Sequence, residues 1–157
     1  MMKEGGKAPA FALESAGGKV ALKDFAGKWL VVYFYPKDLT PGCTVEAIDF
    51  QKAGAKLAKR NAAVVGVSRD PLKLHEKFAE KCELAFPLLS DPEAETIRAY
   101  GAWGEKTMYG KKMEGIIRST VIVAPDGKVA KVFRPVKVPG HVDAVLAALD
   151  DLQGARG

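Results

Sequence analysis

One cysteine stands where it could act as a nucleophile. An apolar run, residues 29–35, ends in the Pro/Gly-rich loop Pro36-Lys37-Asp38-Leu39-Thr40-Pro41-Gly42. Cys43 then opens a pattern with helical spacing. A cysteine in the first turn of a helix meets unpaired N–H groups and the positive end of the helix dipole, and both favour thiolate over thiol. A thiolate so placed implies redox or acyl chemistry rather than simple binding. Other constellations fail on geometry. His75 and Cys82 lie on one predicted helix with a rise of about 10.5 Å between them, too far apart to share a metal ion. Neither His75 nor His141 has the motif of a cysteine hydrolase, and His141 reads as a capping or surface group near the start of the last helix. No glycine loop has the preceding strand and spacing that a phosphate needs. No cofactor and no metal ion is expected.

The elements around Cys43 must hold it at the end of a sheet. Residues 29–35 are apolar on both parities, which predicts a strand covered on both faces. The helix that follows carries Ala47, Phe50, Gly54, Leu57 and Ala58 on one stripe. Upstream, residues 11–13 and 19–22 flank Ala16-Gly17-Gly18 and read as a hairpin. Downstream come a strand at 62–67 and a helix with Asp70 as N-cap and Pro71 at its first position. Its apolar stripe is Leu74, Phe78 and Cys82. A short strand at 86–89 and a helix from Ser90-Asp91-Pro92 to about Tyr100 come next. The polar, glycine-rich stretch 101–115 is expected to be a loop. In it Trp103, Met108 and Tyr109 either line a substrate entrance or simply anchor the loop. Residues 116–123 and 128–133 flank Pro125-Asp126-Gly127, a strong hairpin signal. The last helix runs from Pro139 or Gly140 to about Leu152, with Val142, Val145, Leu146 and Leu149 inward. This order fits one α/β domain, residues 1–157, with a parallel half and an antiparallel edge.

Composition narrows the function further. At 157 residues, 48% hydrophobic and 27% charged, the chain can bury one core and is neither disordered nor membrane-spanning. Residues 1–15 lack the apolar block of a secretory signal, and the longest apolar run falls far short of the ~20 residues of a span. A cytoplasmic protein is expected, and two cysteines there suggest catalytic or redox use. The net charge of +5 is scattered. No basic cluster alternates with exposed aromatics, so nucleic acid is not an expected partner. No exposed apolar segment demands a second copy, and a monomer is expected.

The pattern Pro36-x-x-x-Thr40-x-x-Cys43 resembles the active-site motif of the peroxiredoxins. The run Tyr33-Phe34-Tyr35-Pro36-Lys37-Asp38 with Thr40-Pro41-Gly42-Cys43-Thr44 is most similar to the bacterioferritin-comigratory, or PrxQ, branch. Gly66-Val67-Ser68-Arg69-Asp70, Phe86-Pro87-Leu88-Leu89-Ser90-Asp91, Trp103-Gly104-Glu105-Lys106, Arg118-Ser119-Thr120 and Val136-Lys137-Val138-Pro139-Gly140-His141 look like further landmarks in the right order. The resemblance implies an α/β thioredoxin-like fold, with an N-terminal hairpin and a central mixed sheet flanked by helices. It implies a thiol peroxidase in which Cys43 attacks a hydroperoxide and becomes a sulfenate. Such an attack needs a thiolate, a positioned O–O bond and donors for the oxygen that gains charge. By the resemblance, Thr40 can turn its hydroxyl toward sulfur or peroxide, and Pro36 can shield the site. Arg118 can bring a permanent cation to the thiolate. Glu46, in the first helical turn, suits the dipole but opposes a nearby thiolate, and is read as structural or as a support behind the site.

Cys82 leaves two readings open. Many relatives of the branch carry a resolving cysteine at the position of Ile48 here, so that local bridge cannot form. Others carry it in the following helix, at the position of Ala79, one turn before Cys82. Cys82 is then either the resolver, pairing with Cys43 after the first turn unwinds, or a buried core thiol. The bridge is favoured, with thioredoxin or a glutaredoxin-like dithiol as reductant. In the other case an external thiol resolves a one-cysteine peroxidase. Two further classes stand behind these. Thiol–disulfide exchange would want a cysteine where Thr40 stands, and a thioredoxin-like binding module would leave Cys43 slow with peroxide.

Overall fold

Six consecutive buried residues form β3 (Trp29–Phe34), an inner strand of a seven-stranded sheet. Val31 and Tyr33 enter one core and Leu30, Val32 and Phe34 the other, which explains the apolar run at both parities. In the computed structural model, residues 2–156 are described, apart from the side chains of Met108, Ala155 and Arg156. The hairpin of β1 (Ala12–Ser15) and β2 (Gly18–Ala21) forms one edge of the sheet. From there the order is β2-β1-β5-β4-β3-β8-β9, with β4 (Ala62–Ser68), β5 (Leu88–Ser90), β8 (Ser119–Val123) and β9 (Val129–Phe133). The β3–β4 and β4–β5 pairs are parallel, and β1–β5, β3–β8 and β8–β9 are antiparallel.

One face is packed by α1 (Pro41–Lys52), α2 (Gly54–Lys59), α3 (Leu72–Cys82) and α5 (His141–Arg156), around Tyr33, Phe50, Leu57, Phe78 and Leu149. The other is packed by α4 (Glu95–Ala99) and the N-terminal segment, around Phe11, Phe34, Ile97 and Tyr100. Both α1 and α3 leave the carboxyl end of a parallel strand, so both begin at the same pole of the sheet. Among the described residues no helix is long and apolar enough to cross a membrane.

Four expectations change in detail. The helix after Cys43 is two helices, because the chain bends at Ala53, whose N–H is shared by the carbonyls of Asp49 and Phe50. Ala53 and Leu57 therefore face the core while Gly54 and Ala58 face outward. Asp70 does not cap α3; Pro71 holds that place, and the Asp70 carboxylate is used elsewhere. The buried face of α3 is His75 and Phe78, with Leu74 and Cys82 only half-buried. Residues 101–115 are not a loop: they form a ribbon of β6 (Trp103–Met108) and β7 (Lys111–Ile116). It turns at Tyr109 and Gly110, both with positive φ (53° and 75°), as a tight two-residue hairpin requires.

Candidate active site

Cys43 is the third residue of α1. Pro41 takes the first helical position, where its missing N–H costs nothing, and the Thr44 N–H closes the first helical bond on the Thr40 carbonyl at 2.9 Å. Cys43 is 1% exposed. Arg118 stands just before β8, and Ser119 lies opposite Phe34 of β3, so the register brings the guanidinium to the pole where the loop enters α1. Its Nη2 donates to Cys43 Sγ at 3.3 Å, and its Nη1 donates to Glu46 Oε1 at 2.6 Å. Glu46 follows Cys43 by one turn, which puts carboxylate and sulfur on one side of the helix. A guanidinium fork between them stabilises negative charge on either.

Glu46 is wholly buried and its Oε2 has no hydrogen-bond partner among the described atoms. Burial pushes its carboxyl up to about 7, against the pull of Arg118. For Arg118, burial works against the charge, but Glu46 and Cys43 together outweigh it and hold the group above its ordinary value.

Arg118 also lines an open hollow of about 480 Å³ with Pro36, Glu105, Lys106, Ile117, Arg134 and Pro135. Pro36 thus sits at the mouth, where shielding was expected. Thr40 does not turn to the sulfur; its hydroxyl donates to the Lys37 carbonyl at 2.7 Å and closes its own loop. Of the ribbon, Glu105 and Lys106 reach the hollow. Tyr109 is 98% exposed at the turn, and the Met108 side chain lies outside the described residues. Trp103 is covered by Arg98 and Arg69, at 4.6 and 5.5 Å from its ring. The Lys106 ammonium donates to the Ile116 carbonyl at 2.6 Å; burial, then Arg118, lowers its basicity.

Cys82, the last residue of α3, is a free thiol, as is Cys43. Burial lifts the Cys82 thiol above its ordinary value, with Lys81 pulling it back. The two helices run side by side in the same direction. Gln51 near the end of α1 accepts the Ala85 N–H, just beyond α3, at 2.7 Å. Cys82 is therefore level with the last turn of α1, whereas Cys43 is in the first. Eight residues, about 12 Å of helix rise, separate Cys43 from Gln51. A disulfide needs its Cα atoms within ~7 Å, so the folded arrangement keeps the two sulfurs from bonding.

Two buried groups lie beyond what the sequence reading assigned. His141 is neither a cap nor a surface group: its Nε2 is 2.8 Å from Thr120 Oγ1 and its ring meets Phe133 and Phe50 edge to face. Burial, with Arg118, takes its pKa down to about 4. Beside the catalytic loop, Asp38 accepts from the Tyr35 hydroxyl at 2.5 Å and faces His75 Nδ1 at 2.6 Å, while its N–H donates to Asp70 at 2.8 Å. The motif containing Asp38 was a sequence landmark, but nothing local points to His75 as its partner. Among the described residues no three His, Cys, Asp or Glu side chains converge as metal ligands.

Comparison with known proteins follows the same lines. Residues 5–132 match the AhpC/TSA family. The chain is 50% identical over 135 residues to peroxiredoxin Bcp of Xanthomonas campestris, covering 86% of this chain and 84% of that one. It is 44% identical over 149 residues to peroxiredoxin Bcp of Bacillus subtilis, covering 94% and 95%. A structure of the Xanthomonas campestris bacterioferritin comigratory protein, studied for alkyl peroxide reduction through a trapped intermediate and ligand complexes, matches with a TM-score of 0.88. That match has 45% identity and covers 95% of this chain and 98% of the other.

Proposed function

Because this chain belongs to the AhpC/TSA family, as a thiol peroxidase of the Bcp or PrxQ kind, we propose that Cys43 is the sulfur that reduces the peroxide. The observation that carries this is the 3.3 Å hydrogen bond from Arg118 to a sulfur in the first turn of α1. The hydroperoxide enters by the hollow at Pro36, Lys106 and Arg118. The thiolate attacks the terminal oxygen, a S–O bond forms as the O–O bond breaks, and the leaving oxygen departs as water or alcohol after taking a proton. Arg118 can donate to the oxygen that gains charge without leaving its place between sulfur and Glu46. Thr40 holds the loop's shape, and Pro36 limits water at the mouth. Hydrogen peroxide and alkyl hydroperoxides are both substrates, since the hollow is open and partly apolar.

Cys82 resolves the sulfenate as an intramolecular disulfide, which thioredoxin or a glutaredoxin-like dithiol reduces. The helix-length separation of the two sulfurs favours a second route as well, in which an external thiol meets Cys43 first. We place the enzyme in the cytoplasm as a monomer without nucleic-acid or membrane partners, on its scattered charge and redox-type cysteines. Mass spectrometry after one equivalent of hydrogen peroxide separates these readings. Loss of two hydrogens, abolished in both Cys43→Ser and Cys82→Ser, marks the bridge. Gain of one oxygen, or a mixed disulfide with added thiol, marks the one-cysteine route. If Cys43→Ser keeps its peroxidase turnover, the assignment fails.

A further inference from the structure

We propose that His75 is a positioning residue: through Asp38 it anchors the loop that leads into Cys43, and release of that anchor sets how soon the sulfenate meets a thiol. The inference rests on Cys43 as the oxidised sulfur. The loop 35–40 has few bonds of its own. Thr40 closes it on Lys37, and Leu39 between them has φ +65°, a strained value for a branched residue. Tyr35 at its start is fixed in the core with its N–H on the Val67 carbonyl; beyond it, Asp38, 3% exposed, ties the loop to the rest of the protein. One carboxylate oxygen takes the Tyr35 hydroxyl, the other faces His75 Nδ1, and the backbone N–H goes to Asp70.

His75 is 1% exposed, and its Nε2 lies 3.1 Å from the Leu89 carbonyl. A carbonyl only accepts, so Nε2 carries a proton. Nδ1 then meets the Asp38 oxygen across a second, shared proton. Asp70, which takes the Asp38 N–H, is itself fixed by the Ser68 hydroxyl at 2.7 Å, and its carbonyl accepts from Ser90. The loop is thereby tied to the ends of β4 and β5 and to α3, the helix that ends in Cys82.

Oxidation changes what the enzyme needs. The thiolate must stay beside Arg118 for the peroxide, but the sulfenate is enclosed and must come out. With Cys82 the step is Cys43–S–OH plus HS–Cys82 giving the S–S bond and water: the sulfenic oxygen leaves with the thiol proton, Cys43 is reduced and Cys82 oxidised. Any thiol, internal or added, has to wait for the first turn of α1 to loosen, and Asp38 resists that.

The test compares Tyr35→Phe and His75→Asn with the parent, each also in a Cys82→Ser background given a small thiol such as 2-mercaptoethanol. Rapid quench and mass spectrometry follow oxygen on Cys43 as it appears and as it is lost. Tyr35→Phe removes the hydroxyl that Asp38 accepts from and that stands 3.5 Å from His75 Nδ1, and keeps the ring. Both variants are expected to shorten the sulfenate lifetime about fivefold, the worth of one buried hydrogen bond. Oxygen uptake should change less, and sulfinate formed in excess peroxide should fall. The added-thiol series decides. If Tyr35→Phe takes up oxygen normally yet loses it to the thiol at the parent rate, or if both steps slow together, the anchor is only structural and the inference is overturned. Absence of oxygen on Cys43 in the parent would sink the peroxidatic assignment and this inference with it. Absence of the internal bridge alone leaves the added-thiol result to stand.

Discussion

Replacing Glu46 by glutamine should stabilise the protein at pH 8 relative to pH 5, when each variant is compared with its parent at the same pH. Glu46 is enclosed, with one oxygen on Arg118 and the other without a partner. Burial lifts its carboxyl from an ordinary 4.5 to about 7. Between those values the folded chain keeps a proton that the unfolded chain has released. Stability therefore falls as pH rises through that window, and the loss is complete above it. At 1.36 kcal/mol per tenfold, the full shift is worth about 3 kcal/mol, of which roughly 2.5 kcal/mol lies between pH 5 and 8. The amide has no charge at either pH and still offers a carbonyl to Arg118. The difference between variant and parent should therefore move by about 2.5 kcal/mol in the variant's favour. Urea denaturation of the reduced proteins at the two pH values measures it. His141 gives an opposite slope, but it does so in both proteins and drops out of the difference. A difference constant to within about 0.5 kcal/mol, the usual noise of such comparisons, would mean that Arg118 keeps Glu46 ionised throughout and that the burial argument is wrong.

Three further outcomes are expected. Arg118→Ala should slow the stopped-flow reaction of the thiol with hydrogen peroxide by about 100-fold, the usual worth of a donor aimed at developing charge. Arg118→Lys should recover only part of it, because one ammonium cannot serve both Cys43 and Glu46. A Cβ on Gly42 would stand 3.3 Å from Arg118 Nη2, so Gly42→Ala should slow peroxide reduction several-fold while leaving denaturation unchanged or improved, as alanine suits a helix better; an unslowed variant would show that the guanidinium has room to spare. His141→Phe should flatten the stability profile on the acid side: the parent, with this imidazole held down to about 4, gains stability as pH rises from there to about 6.5, where the unfolded chain alone is protonated. Thermal melts across that range decide, and an equal slope in both proteins refutes it.

The parts of the fold that bury apolar residues regularly were legible in the sequence. β3 is apolar at both parities because both faces are covered, and α5 turns Val142, Val145, Leu146 and Leu149 inward as its spacing implied. The thioredoxin-like fold and the peroxidase chemistry were carried by Pro36, Thr40, Cys43 and the ordered landmarks, and the relatives bear them out. The ribbon of β6 and β7 was missed because no layer covers most of it. Most of its charged residues face solvent, and the one that turns in, Lys106, is itself polar, so the apolar–polar alternation that marks a half-buried strand never develops. The pairs Arg118–Glu46 and His75–Asp38 join residues far apart in the chain. Arg118 stood out by the resemblance and Asp38 lay in a landmark, but nothing in the chain named Glu46 or His75 as their partners, and only the fold brings each pair together. Asp70 had the sequence context of a helix cap, but a buried N–H on Asp38 competes for the same carboxylate and takes it.

The way the first residues lie along β9 has its own bearing on how copies of this protein meet. Gly5 and Gly6 exchange backbone hydrogen bonds with Val129, Lys7 bridges Lys128, and Glu4 accepts the Val132 N–H. These contacts fill bonding positions that a bare edge strand would offer to another chain. A truncation starting at Ala8 would leave that rim open, and its first symptom would be sticky, strand-to-strand clumping in a protein whose chemistry is otherwise whole.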